Sequence, residues 1–185
     1  SGSGKTTFLK ILSGLIPINE GAIHNGKNKN KDFIRFKESI SHLSQENFIV
    51  DKESIFYNIT LKQKKLASQA DMNNFDKVIK ISNLNEFIRK QPLKEDTILN
   101  EGASNISGGE RQRICIARSL FADNKLIIMD EPFSSIDKQN SDEIFRQILK
   151  DSANKTLIIS NHKKIEVKHF DKVIFFGKDK IVNIK

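Results

Sequence analysis

The sequence predicts an α/β fold in which helices flank a parallel sheet and an all-helical stretch interrupts the alternation. Three observations carry this prediction. Ser1–Thr7, read SGSGKTT, opens a short helix with an apolar face, the layout of a phosphate-binding loop. Leu126–Met129 and Leu157–Ile159 are apolar throughout, so each reads as a strand buried on both faces, with one helix between them. From Thr60 to Lys94 the apolar residues fall instead at helical spacing.

A chain of 185 residues, 37% hydrophobic and 29% charged, suits one globular domain with a real core. Its longest apolar runs, such as Leu126–Met129 and Val173–Phe176, are far too short to cross a bilayer. The single Cys115 cannot form an internal disulfide, which fits a reducing setting. Its plainest role is that of a small buried apolar side chain on a helix. The net charge of +8 raises nucleic acid or an anionic membrane as a partner. The lysines are spread along the chain, however, and no aromatic residues alternate with them as a single-strand binding face requires. A solvated surface is the better account.

The first motif matches the end of the pattern G-x-x-x-x-G-K-[ST]. Its first glycine would precede Ser1, so the chain is expected to be an N-terminally truncated fragment with the strands before residue 1 missing. Backbone N–H groups of Ser1, Gly2, Ser3 and Gly4 can turn inward around phosphate oxygens. Lys5 supplies a charge to the β- and γ-phosphates, and the Thr6 hydroxyl can ligate Mg²⁺, with Thr7 beside it. The helix from Lys5 to Ser13 carries Phe8, Leu9, Ile11 and Leu12, ends at Gly14, and adds partial positive charge beneath the phosphates.

Asn19–Asn30 is rich in turn signals, with short strands expected near Ala22 and Phe33–Phe36. Ile40–Gln45 reads as a strand leaving the core, and His42 on it as a packing or surface residue. Phe75, Val78, Ile79, Ile81, Leu84, Phe87 and Ile88 form the apolar stripe of the helical stretch. Ser107 followed by Glu110 is a capping box. The Ser107 hydroxyl and the N–H groups of Gly108 and Gly109, at a helix N-terminus, also make an anion site. Asp130 and Glu131 end the first buried strand at its carboxyl edge, outside which ligands bind in open α/β sheets. Adjacent carboxylates there are costly without a nearby cation. Asp137 caps the next helix, whose apolar side holds Ile144, Phe145, Ile148 and Leu149. Thr156–Ser160 is the second buried strand, followed by Asn161 and His162, and a hairpin around Gly177 closes the chain.

Taken in this order, the motifs resemble the nucleotide-binding domain of the ABC transporter ATPases, and the likeness covers nearly the whole chain. It implies a P-loop NTPase fold: a RecA-like core over residues 1–46 and 110–185, with an inserted helical subdomain over 47–109. Gln45 stands where that family carries its Q-loop glutamine, which implies a place near Mg²⁺ and the attacking water. Ile106–Glu110, ISGGE, corresponds to the signature LSGGQ, which implies that Ser107, Gly108 and Gly109 bind the γ-phosphate of an ATP held by a second subunit. Glu110 departs from the pattern and sets an acidic group beside that phosphate. The resemblance makes Asp130 a Mg²⁺ carboxylate, Glu131 the residue that polarises the attacking water, and His162 a bridge between Glu131 and the γ-phosphate. Asp137 falls in the D-loop, which communicates across the dimer.

Ser54–Ile59 and Thr97–Gly102 are similar to elements of exporter-type members, although Asn100 and Ala103 replace two glycines. The implied function is an ATP-binding and hydrolysing domain, using ATP and Mg²⁺, that powers transport across a membrane, with export the expected direction. The implied partners are a second ABC nucleotide-binding domain, identical or not, and a transmembrane domain, fused or separate, at the cytoplasmic face of a membrane. No nucleic acid is expected. Two other readings stay open. A non-transport ABC ATPase acting on nucleic acid is disfavoured by the uninterrupted helical region and the exporter-like segments. A weakly hydrolysing regulatory half is disfavoured by Glu131 and His162, while Glu110 leaves it room.

Overall fold

The structure is a computed structural model that describes residues 3–21, 23, 39–161, 169–176 and 181–184. Ser1, Gly2 and His162 lie outside the described residues, as do Ala22, the segment Phe33–Phe36 and Gly177.

Helix α1 spans Lys5–Leu12. It ends as the sequence requires: Gly14 takes φ +67, donates to the Ile11 carbonyl, and Leu15 donates to that of Lys10. These paired bonds satisfy carbonyls that a helix end leaves open. Strand β1 follows at Ile40–Leu43. Helix α2, Ile55–Thr60, begins ahead of the stretch where helical spacing is readable. Ser54 starts it by accepting the Tyr57 N–H at 3.0 Å, and Leu61 ends it at φ +54. A helix of 6 residues is too short to display a period, so only its cap announces it. Helices α3 (Gln69–Ile81) and α4 (Asn85–Lys90) then carry the predicted stripe, all of it buried. The helical stretch is therefore broken rather than continuous, with 3₁₀ turns at Lys64–Leu66 and Lys94–Asp96.

Helix α5 (Gly108–Phe121), strand β2 (Leu126–Asp130), helix α6 (Lys138–Asp151) and strand β3 (Thr156–Ser160) complete the main layers. β4 (Ile174–Phe176) and β5 (Ile181–Ile184) pair antiparallel, as the expected closing hairpin. β1, β2 and β3 form a parallel sheet in that order. Alternation divides β2 between two cores. Leu126 and Ile128 meet Leu9 of α1 on one face, while Ile127 and Met129 join α5 on the other.

That second core does not stop at the sheet. It runs on through Ile114 and Ile116 of α5 to Phe56 of α2 and Phe75 and Val78 of α3, with Phe56 and Phe75 rings 4.9 Å apart. Each such side chain contributes about 1.5–3 kcal/mol when fully buried. The three arginines of α5 all bridge. Arg111 donates to the Gly102 carbonyl, Arg113 to that of Asn83, and Arg118 to those of Phe48 and Asn58. Among the described residues no helix is long and apolar enough to cross a membrane.

Candidate functional site

The register of the sheet assembles the site's acidic side. Asp130 lies opposite Ser160 and Leu43 opposite Met129, so the chain leaves all three strands at one carboxyl edge. Gln45, Asp130, Glu131 and Asn161 thus all lie at or just past strand ends on the same edge of the sheet. Asp130 is 2% exposed and accepts a hydrogen bond from the Ser160 hydroxyl. A carboxylate this deep favours a cation close by. Glu131 is half-buried and takes φ +52, a left-handed backbone that a side chain rarely adopts. Its N–H donates to both the carbonyl and the hydroxyl of Ser160, each at 3.2 Å. One serine therefore grips both acids. Sequence reasoning missed Ser160; its only signal is a hydroxyl ending an otherwise apolar run.

The phosphate-loop side rests on α1. Gly4 begins the helix at φ +81, the conformation that calls for glycine there. The Lys5 ammonium donates to the Ser3 hydroxyl at 3.0 Å, so it lies back along the loop. Phe8 donates to the Gly4 carbonyl, which fixes the first turn and aims the preceding N–H groups out of the helix end. Packing of Leu9 on Leu126 and Ile128 ties this loop to the strand that bears Asp130. The Thr6 hydroxyl and the Asp130 carboxylate are hard oxygen donors of the kind Mg²⁺ takes, and the helix end suits a phosphate. Gln45 is exposed just past β1.

His42 sits within β1, where burial lowers its pKa and the Asp130 charge opposes that shift. Among the described residues no group of three or more His, Cys, Asp or Glu could hold a metal by itself.

The third part is the turn that opens α5. Ser107 and Gly108 are exposed, and Ser107 forms the predicted box. Its N–H and hydroxyl both donate to the Glu110 carboxylate at 2.8 Å, while the Glu110 N–H donates to its hydroxyl at 3.2 Å. Gly109 is required by close approach: a Cβ there would stand 3.1 Å from the Ser135 carbonyl oxygen. The segment Ser134–Asp137 thus packs directly beneath this turn. Asp137 caps α6 through bonds from the Asn140 backbone N–H (3.0 Å) and side-chain amide (2.7 Å), which hold its carboxyl below the usual range.

Gln112 was not foreseen. It is 1% exposed and joins α5 to Glu131, Ser134 and Ser135. The available signal was an amide on the inward face of a helix, between Gly109 and Ile116.

Known proteins resemble this chain in sequence and in fold. A family model described as ABC transporter matches residues 1–134. The lacticin-481/lactococcin-DR transport/processing ATP-binding protein of Lactococcus lactis subsp. lactis is 35% identical over 184 residues, covering 98% of this chain and 25% of its own length. The ABC transporter ATM1 of Plasmodium falciparum is 36% identical over 187 residues, covering 95% of this chain and 16% of its own length. The chain thus spans a quarter or less of these two relatives. A bacterial Atm1-family ABC exporter with ATP bound shares the fold at a TM-score of 0.86 and 23% identity, over 100% of this chain and 32% of that one. The family match reaches from the first motif past the paired acids, so it covers both halves of the site, and the chain belongs to the ABC transporter family.

Proposed function

We propose that this chain binds and hydrolyses ATP in a head-to-tail dimer of nucleotide-binding domains, and so powers export through a transmembrane partner at the cytoplasmic face of a membrane. The observation that carries the reading is that one chain holds two half-sites, a buried acidic one at the sheet edge and an exposed turn at Ser107 and Gly108. Asp130 and Glu131 sit at the sheet edge beside α1, while Ser107–Gly109 present a helix N-terminus at the end of α5. The named activities of the relatives, transport/processing and export with ATP bound, support it.

In this reading Ser1, Gly2, Ser3, Gly4 and Thr7 wrap the phosphates with backbone N–H groups, and Lys5 adds its charge. Thr6, Asp130 and Gln45 would hold Mg²⁺, which would neutralise phosphate charge. Glu131 takes the proton of the attacking water, and His162 steadies Glu131 against the γ-phosphate. Ser107, Gly108 and Gly109 close over the partner's γ-phosphate, with Asp137 at the junction. Little covalent chemistry falls to the protein, so positioning and charge do most of the catalysis. Residues 1–46 and 110–185 form the ATPase core, and residues 47–109 form the helical subdomain that meets the membrane part. No nucleic acid takes part.

The test is Glu131→Gln in the full-length protein. ATP binding stays within about twofold, turnover falls by about 100-fold or more, and ATP drives a stable dimer seen by size-exclusion chromatography. Wild-type turnover in that variant would overturn the assignment of the base.

A further inference from the structure

We infer that Gln112 is a positioning residue that fixes the backbone of Glu131 and so couples the turn opening α5 to the hydrolytic acid of the same chain. The inference rests on the reading of Glu131 as the base. Gln112 stands just over one helical turn from Gly108, with its side chain removed from water. Its amide nitrogen donates to the Glu131 carbonyl at 2.9 Å and to the Ser134 hydroxyl at 3.0 Å. Its amide oxygen accepts from the Ser135 N–H at 2.6 Å. Both amide protons and the oxygen are thus used, and every bond goes to one five-residue turn, 131–135.

A buried amide with all its bonds made could be packing and nothing more. Two further facts give it a direction. Glu131 holds a left-handed backbone, which persists only where its surroundings over-determine it. Ser160 supplies that restraint on the N–H side of Glu131. On the carbonyl side Gln112 at 2.9 Å supplies it together with the Ser134 N–H at 3.3 Å, itself part of the turn that Gln112 pins. Without Gln112 the carbonyl keeps only the longer Ser134 bond, from a turn no longer pinned at Ser134 and Ser135. The backbone then relaxes toward extended values and swings the Cα–Cβ bond that aims the carboxylate. The same turn also fills the space under Gly109, where the Ser135 carbonyl leaves no room for a Cβ. A shift of α5 when Ser107–Gly109 meet a partner's phosphate therefore passes through Gln112 to the Glu131 peptide.

Gln112→Met, of similar length but without amide donors, and Gln112→Glu, which retains the acceptor for Ser135, are to be made in the full-length protein. Each is also to be combined with Glu131→Gln. A misplaced base lowers kcat by roughly 10- to 100-fold while the KM for ATP stays within about twofold. In the Glu131→Gln background, where no base remains to misplace, neither substitution changes the residual turnover by more than about twofold.

An unchanged kcat, or the same fold-loss in both backgrounds, would overturn the inference, because a purely structural residue acts regardless of the base. Failure of both variants to fold would overturn it too, in favour of packing. If Glu131→Gln alone retains full turnover, the reading of the base fails instead, which is a separate result.

Discussion

Glu110 closes its carboxylate on the hydroxyl and N–H of the serine three positions before it. That contact stabilises α5, yet it lays a negative charge on the group that we propose meets a phosphate. Two unit charges about 5 Å apart near a protein surface repel by about 1–3 kcal/mol. Glutamine keeps the cap, since its amide oxygen still accepts the Ser107 N–H, and removes the charge. Glu110→Gln is therefore expected to lower the ATP concentration for half-maximal dimerisation by about fivefold, an effect that shrinks with added salt. A titration in the dimer-trapping Glu131→Gln background measures it, and an unmoved midpoint would refute the repulsion. At this scale the sequence showed what has a local pattern. Ser107 with Glu110 and the paired acids could be read. Gln112 and Ser160 could not, because their partners lie 19 and 30 residues away and only the folded sheet brings them near.

Helices and strands announced themselves when they were long or uniformly apolar. β2 was legible because a strand with both faces covered has no polar side. β3, legible from its apolar run, is only partly buried at Leu157–Ile159 and exposed at Thr156, since it ends the described three-stranded sheet rather than lying inside it. α2 was not, and neither was the break from Leu61 to Ser68, because short capped turns carry little periodicity. The cap that restarts the helix at α3 makes a pH prediction. The Lys62 ammonium, 2.7 Å away, and then the N–H and hydroxyl of Ser68 hold the Asp71 carboxyl down at about 2, against an ordinary value of 3.8. A carboxyl whose pKa is depressed on folding adds stability that is complete above the ordinary value. That stability is lost as the pH falls from there to the folded value. The gap in unfolding temperature between the wild type and Asp71→Asn should be flat from neutrality to about pH 5 and close as the pH falls toward about 2. A gap that is the same at both ends of that range would rule out the linkage.

Across the whole molecule, the α/β class and the helical insertion were readable, but the sharing of one core between them was not. That depends on which faces α5 turns to the sheet and to α2 and α3. The polar half of the join is Asn58 with Arg118. Asn58 is fully buried, exchanges bonds with the N–H and carbonyl of Val50, and accepts from the Arg118 guanidinium at 3.0 Å. Asn58→Ala would remove the acceptor of the Val50 N–H and of one guanidinium nitrogen, while Arg118 keeps the carbonyls of Phe48 and Asn58. It should therefore cost about 2 kcal/mol, read from the denaturant midpoint. A loss below about 1 kcal/mol would mean that water takes the vacated place.

Arg118 also reaches the carbonyl of Phe48, a residue 68% exposed, and it does so from the same helix that starts at Gly108. From Glu110 to Phe121 that helix contains neither glycine nor proline, and about 15 Å of it separates Gly108 from Arg118. Such a rod tilts as a unit, so its two ends cannot keep separate schedules. Reciprocity would follow if Ser107–Gly109 bind phosphate as proposed: any body that settled against Phe48 and favoured one tilt would change the affinity of that far end for phosphate. Phosphate there would then change the grip on that body by the same factor.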